Sequence, residues 1–189
     1  MSDKLDRRKK YTRMMLKESL ISLLTNQSIS KITVKEICAR ADINRSTFYT
    51  HYHDQYDLLA KIEEEIIADL NNYLSSYNFT GEQESIQMTE KLIEYITSKK
   101  EIFQVLLNDH VDLTFEKRVM DVARQFLIKN WEEMVSFGYE QSEYLSTFVV
   151  SGAINVIKEW IEKDMDQSPK EMAEMINNFT NKGLSFLSN

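Results

Sequence analysis

Glycine and proline are nearly absent, with four Gly and one Pro among 189 residues, where average usage would give roughly 12% of a chain. Parallel α/β folds and β-sandwiches spend these residues at every tight connection, so the shortage excludes them and predicts an all-α protein with short links. The single cysteine, Cys38, excludes an internal disulfide. Without a CxxC pair or a histidine at ligand spacing it excludes a zinc finger too, and a buried helix position is expected for it. No apolar run approaches the ~20 residues that span a bilayer, and the charged N-terminus does not read as a signal peptide, so no membrane partner and a cytoplasmic location are expected. GxSxG, HExxH and a glycine-rich phosphate loop are all missing, which argues against catalysis and implies no cofactor. His51 and His53 are two residues apart and would not face each other on a helix, so no metal site is expected.

What is present is a charge asymmetry. The net charge is −7, yet residues 1–53 hold 11 Lys/Arg against 5 Asp/Glu, while residues 54–189 hold 12 against 25. A basic module on an acidic body is the electrostatic arrangement for gripping phosphates. The expected division is therefore a DNA-binding domain over 1–53 and a second helical domain over 54–189, a length that suits one to two domains.

Helical patterns are legible along most of the chain. From about Lys4 to Thr25, Leu16, Leu20, Leu23 and Leu24 share a face, with Lys9, Lys10, Arg13 and Lys17 mostly off it. Polar residues from Asn26 to Lys31 interrupt the pattern. Thr33-Val34-Lys35-Glu36 then supplies a capping box for a short helix carrying Val34, Ile37, Cys38 and Ala41. That helix is expected to stop near Asp42, a residue type that tolerates left-handed backbone. Asn44 caps a third helix over Arg45–Thr50. Two short helices joined by a three-residue turn and preceded by a longer one make a helix-turn-helix, whose second helix can enter a DNA major groove. Asp54 and Asp57 begin a long helix reaching Tyr77. Further patterns lie near 82–98, opened by a Thr80/Gln83 capping box, then 100–109, 112–137, 142–164 and 169–187, the last with Pro169 at its first position.

The run from Thr33 to Leu59, including Thr47-Phe48-Tyr49-Thr50-His51-Tyr52, resembles the DNA-binding domain of TetR/AcrR transcriptional regulators. The resemblance implies about nine helices: three in a helix-turn-helix domain, the rest in an effector-binding and dimerisation domain. A second likeness, carried by Ser151-Gly152-Ala153, Glu159-Trp160-Ile161 and Ser168-Pro169-Lys170-Glu171-Met172, is to an effector-domain subgroup common in Gram-positive bacteria. Two positions depart from the family pattern. Asp42 stands where Gly is usual in the turn, and Gln55 stands where Lys usually meets a phosphate, which reduces that contact to a neutral hydrogen bond or removes it.

Arg45, Ser46, Thr47 and Thr50 lie on or near the first turn of the recognition helix, where side chains reach base edges. Thr33 and Lys35, at the start of the second helix, can donate to phosphate with help from its dipole. The resemblance implies phosphate contacts for Tyr49 and His51, and packing against the fourth helix for Tyr52. It also implies a four-helix dimer interface from the last two helices, with Gly152, Trp160, Ile176 and Phe179 as candidates. Close packing within one chain is the other reading of Gly152. In the second domain Tyr73, Tyr77, Tyr95, Phe103, Phe115, Phe126, Trp131, Phe137, Phe148 and Trp160, with Met88, Met120 and Met134, read at helical spacing mostly as ordinary core, with the wall of a ligand cavity as the lesser reading. His110, between Asp109 and Asp112, reads as a loop residue or a polar group at that cavity.

The function expected is a homodimeric regulator, a repressor that binds a palindromic double-stranded DNA operator and is released by a small-molecule effector. A DNA-binding coactivator controlled by a protein partner and a small all-α enzyme are the alternatives.

Overall fold

The computed structural model describes residues 2–76, 82–107, 113–134 and 139–184. Among them are nine α-helices and no strand: α1 (Ser2–Leu24), α2 (Val34–Ala41), α3 (Arg45–Phe48), α4 (Gln55–Ser75), α5 (Glu82–Ser98), α6 (Lys100–Leu106), α7 (Leu113–Met134), α8 (Tyr139–Glu162) and α9 (Pro169–Leu184). The interruption after α1 contains a 3₁₀ turn at Ile29–Lys31 that its polar sequence does not announce. No helix among the described residues is long and apolar enough to cross a membrane. Thr80, Tyr77, Asp109, His110, Asp112 and Phe137 lie outside the described residues, as do the side chains of Trp131 and Met134.

Two compact units result, Met1–Ile66 with Val105–Asp112, and Ile67–Gln104 with Leu113–Asn189. The division falls inside α4. The physical reason is that the first turns of α4 bury Leu58, Leu59, Ile62 and Ile66 and so belong to the first core.

In the first unit Leu16, Leu20, Ile32, Ile37, Phe48 and Leu58 are fully buried. Leu24 is buried as the periodicity predicts, while Leu23 is only half-buried. The capping box of α2 forms in both directions: Thr33 Oγ1 accepts from the Glu36 amide at 3.2 Å, and Glu36 Oε2 accepts from the Thr33 amide at 2.8 Å. At the other end Asp42 adopts φ 53° and ψ 44°, the left-handed cap expected there, and the Ile43 amide donates to the Cys38 carbonyl at 3.0 Å. Cys38 is buried, which pushes its thiol pKa up. The third helix is shorter than its sequence pattern. It ends at Phe48, after which Thr50 and His51 donate to the carbonyls of Thr47 and Phe48 at 3.2 and 2.9 Å. These three-residue spacings tighten the chain out of the α-helix. Thr50 Oγ1 also donates to the Thr47 carbonyl at 2.6 Å, competing for the acceptor a longer helix would use.

In the second unit α5 packs on α9 and α7 on α8. Tyr95 is buried, donates its hydroxyl to Asp69 at 2.8 Å and stacks near Tyr73 and Phe103 with ring centroids 5.1 and 6.0 Å away. The end of α8 is strongly fixed. Asp164 and Met165 both have φ 61°; the Met165 amide donates to the Trp160 carbonyl at 2.9 Å, and Lys100 pairs with Asp164. The Trp160 indole N–H donates to the Gln167 carbonyl at 3.0 Å, and Ser168 and Glu171 cap α9 reciprocally.

Left-handed backbone at residue 42 gives a test with opposite expectations for two variants. Asp42→Val should destabilise the protein by about 1–2 kcal/mol, since a branched side chain is crowded there. Asp42→Gly should change stability by less than about 1 kcal/mol, relief of strain being offset by unfolded-chain entropy. Urea unfolding followed by circular dichroism measures both; equal losses would mean that the left-handed turn is not formed.

Candidate DNA-binding site

The sequence leaves α3 only one apolar residue to bury. Phe48 takes that place, in edge-on contact with Tyr49 at 5.5 Å and tilted against Tyr52 at 5.7 Å. Burying Phe48 turns its neighbours outward: Arg45, Ser46, Tyr49 and Thr50 are exposed and Thr47 is half-buried. Asn44 holds the N-cap position through its carbonyl, which accepts from Thr47 and Phe48 at 2.9 and 3.1 Å. Its side chain makes no capping bond, contrary to the expectation from its residue type. Arg45 Nη2 lies 3.4 Å from the Tyr49 hydroxyl oxygen, a long hydrogen bond that aligns the guanidinium along the exposed face. An arginine so placed can offer its fork to a guanine edge, and the phenol beside it can meet a phosphate oxygen.

His51 is half-buried, and its imidazole pKa is held below the usual value first by burial and then by the positive charges of Arg13 and Lys9. That electrostatic effect identifies two residues absent from the sequence-based set of contacts. Lys9, Arg13 and Lys17 form one row on α1 at four-residue spacing. Lys17 is paired with Glu65 of α4, whereas Lys9 and Arg13 are exposed and direct positive potential at His51. Periodicity could have found the row; which of its members face the site is set by tertiary packing. Tyr52 is buried, as the packing role requires, and burial pushes its hydroxyl pKa up to about 12.

Thr33 and Lys35 are exposed at the start of α2. The Thr33 hydroxyl donates to Glu36 at 2.7 Å, so a phosphate must compete for that proton with a carboxylate whose own pKa this bonding holds down. Gln55 is half-buried in the first turn of α4, behind the Asp54 cap that accepts from the Asp57 amide at 2.9 Å. Among the described residues no cluster of three or more His, Cys, Asp or Glu could hold a metal ion.

On the second unit, Phe179 is 80% exposed, Ile176 is half-buried, and Gly152 is exposed with nothing within 4 Å of where a Cβ would stand. Close packing of Gly152 within the chain is therefore not what the position serves. Trp160 is different: at 3% exposure and bonded to Gln167, it anchors the turn between α8 and α9 of its own chain and offers no surface. Phe148, expected from sequence in the core or at a cavity wall, is instead 79% exposed on α8, and Tyr144 at 80% exposure, Val156 and Met175 are exposed apolar residues that periodicity did not single out. Tyr144, Phe148, Gly152 and Val156 continue one another at four-residue spacing, a stripe of the kind that faces another helix.

Comparison with known proteins gives this geometry its context. Residues 83–182, more than half of the chain, match the family model TetR_C_8, described as "Transcriptional regulator C-terminal region". The helix-turn-helix-type transcriptional regulator YxbF of Bacillus subtilis (strain 168) is 21% identical over 170 residues, or 85% of this chain. The chain spans 42% of that relative's length. A TetR transcriptional regulator from Streptococcus agalactiae 2603V superposes with a TM-score of 0.65 at 23% identity, over 95% of this chain and 99% of that one. NalD of Pseudomonas aeruginosa, described as the secondary repressor of the MexAB-OprM multidrug efflux pump, gives a TM-score of 0.70 at 13% identity over 94% and 97%. These two likenesses concern the fold. With the family match over the C-terminal half, the chain belongs to the TetR family of transcriptional regulators.

Proposed function

We propose that the protein is a homodimeric repressor whose first units read the two halves of a palindromic operator and whose second units dimerise and bind a small-molecule effector. The observation that carries this reading is the outward-facing set Arg45, Ser46, Tyr49 and Thr50 around buried Phe48, on a unit whose α1 adds Lys9 and Arg13. Arg45, Ser46 and Thr50 are assigned to base edges with Thr47 at their margin; Tyr49, His51, Thr33 and Lys35 are assigned to phosphates, with Lys9 and Arg13 beside them. A second copy is needed because one short helix reads few base pairs, and two copies reading successive major grooves set half-sites about one DNA turn apart. The exposed stripe on α8 with Met175 and Phe179 on α9 supports the dimer face; Gly152 and Ile176 lie with it, and Trp160 does not. An effector releases DNA only as far as its affinities for the DNA-competent and DNA-incompetent dimers differ.

The direct test is a mobility-shift titration with the DNA upstream of the protein's own coding region. Arg45→Ala should weaken the specific complex by about 1–3 kcal/mol with little change in melting temperature, because the side chain is exposed. Unchanged operator affinity would remove Arg45 from the base-reading set.

Affinity should also depend on pH. The imidazole of His51 titrates below its usual 6.5 in the free protein. A bound phosphate favours the protonated form and raises that pKa, so complex formation takes up a proton. Affinity should therefore rise as pH falls from about 8 through the depressed pKa. His51→Asn should flatten that slope, and identical pH profiles for the two proteins would place His51 away from phosphate.

At the dimer face, Phe179→Glu should move the protein toward monomer in sedimentation at micromolar concentration. Gly152→Leu should do the same, by about 1–3 kcal/mol of overpacking. In a lone chain the new Leu side chain starts from a Cβ with no atom within 4 Å, so a shift reports the second copy. Two variants as dimeric as the parent would put the interface elsewhere.

A further inference from the structure

Arg45 and Tyr49 stand one turn apart on the exposed side of the recognition segment. The Tyr49 amide donates to the Arg45 carbonyl at 3.1 Å, which holds the two backbones in helical register. The Tyr49 ring is supported by its neighbour: Phe48 is fully buried, and the two rings meet edge-on at 86° with centroids 5.5 Å apart. The rest of Tyr49, about half of it at 51% exposure, stays open to solvent. Arg45 has no such support. Its side chain is exposed, and among the described residues the Tyr49 hydroxyl is the side-chain acceptor that its guanidinium meets, from Nη2 at 3.4 Å.

A long, exposed arginine with no fixed partner can offer its donors to several phosphates and base edges, and ordering it costs free energy on binding. A phenol beside it changes this, because a hydroxyl donates one proton and accepts on its lone pairs at the same time. Tyr49 Oη accepts from Arg45 and keeps its own proton for a phosphate. A hydroxyl that gives its proton to an anion becomes a better acceptor, so a phosphate on Tyr49 strengthens the long bond from Arg45. The guanidinium is not used up by that bond. Nη2 carries two hydrogens, and the second remains for a base edge together with those on Nη1.

We infer that Tyr49 is the positioning residue of the base-reading arginine: its hydroxyl bridges a DNA phosphate to Arg45 and so aims the guanidinium at one guanine in each half-site. The inference rests on reading the first unit as operator-binding. The fork of Arg45 matches N7 and O6 of guanine only when it arrives in one orientation. A phosphate contact by itself carries no sequence information. Through Tyr49 it acquires some, because the place of the backbone then sets the direction of the fork.

The test uses mobility-shift titrations of the full-length protein on its upstream DNA, with each base pair of one half-site replaced in turn. The pair read by Arg45 is the G·C pair whose replacement weakens wild type but not Arg45→Ala, and wild type should prefer it by about ten-fold. Tyr49→Phe keeps the ring and its edge contact with Phe48 and removes the hydroxyl. It should lower that one preference by about three-fold or more, while affinity for every sequence falls by a common factor from the lost phosphate contact. In an Arg45→Ala background, Tyr49→Phe should leave every base-pair preference unchanged. A common-factor loss with the preference at the Arg45 pair intact overturns the positioning role and leaves the regulator reading standing. Preferences at other pairs lowered by Tyr49→Phe, whether or not Arg45 is present, overturn it as well, since Tyr49 would then touch a base itself. A specific complex in which Arg45→Ala alters no base-pair preference removes Arg45 as a reader and overturns the inference. Absence of any specific complex with wild type overturns the regulator reading, and the inference falls with it.

Discussion

Four residues of helix have no stability of their own, since nucleation alone costs more than one turn returns. The recognition segment therefore depends on the burial of Phe48. With its ring fully enclosed against Tyr52 and edge-on to Tyr49, the backbone on either side is fixed without any help from the residues that face outward. Arg45, Ser46, Tyr49 and Thr50 are thereby free to be chosen for recognition. Burial of a phenylalanine stabilises by roughly 1.5–3 kcal/mol, which exceeds the few tenths that any exposed contact on α3 could contribute. The left-handed turn at Asp42 and the capping box at Thr33 serve the same end, fixing α2 so that the segment after it starts in one direction.

Charge on the first unit is selected by pairing as well as by sequence. Lys9, Arg13 and Lys17 are chemically alike and lie in one row, yet Glu65 engages Lys17 and leaves the other two to act on His51. Exposed pairs of this kind contribute little to stability. Their consequence here is to decide which cations remain available to an anion. Lys35 and Arg40 show the same selection on α2, where Arg40 donates to Ser22 of α1 and Lys35 stays exposed.

Features set within one or two turns of chain were legible in the sequence. The Thr33–Glu36 box, the Asp42 cap, the Asp54 cap and Pro169 at the start of α9 each follow from residue type and spacing, because their partners are at most four residues away. Features set by distant partners were not. The end of α3 at Phe48 is a local exception, with Thr50 competing for the carbonyl of Thr47 three residues away. Trp160 looks from sequence like a large apolar residue on a dimerising helix, but the left-handed pair Asp164–Met165 folds the chain back so that Gln167 meets its indole. Of the residues proposed to contact DNA, Arg45 through Thr50 come from the helix-turn-helix spacing, while Lys9 and Arg13 needed the packing of α1 to single them out.

The second unit distributes its unspent interaction unevenly. At the end of α8 the indole of Trp160, the Ser168–Glu171 cap and the Lys100–Asp164 pair leave few groups wanting a partner. Along α7, half-buried apolar side chains and one unpaired buried donor remain. A ligand shifts a conformational equilibrium only by interactions it makes better in one state than in the other. Groups already satisfied within the chain have nothing further to give a ligand, so differential affinity must come from those that are not. The apolar face of α8 and α9 is equally unsatisfied, but its open stripe of Tyr144, Phe148 and Phe179 matches a helix of similar length better than a small molecule. Under the dimer proposed above, that stripe is the surface of the second unit with the most apolar area left to bury against a second copy.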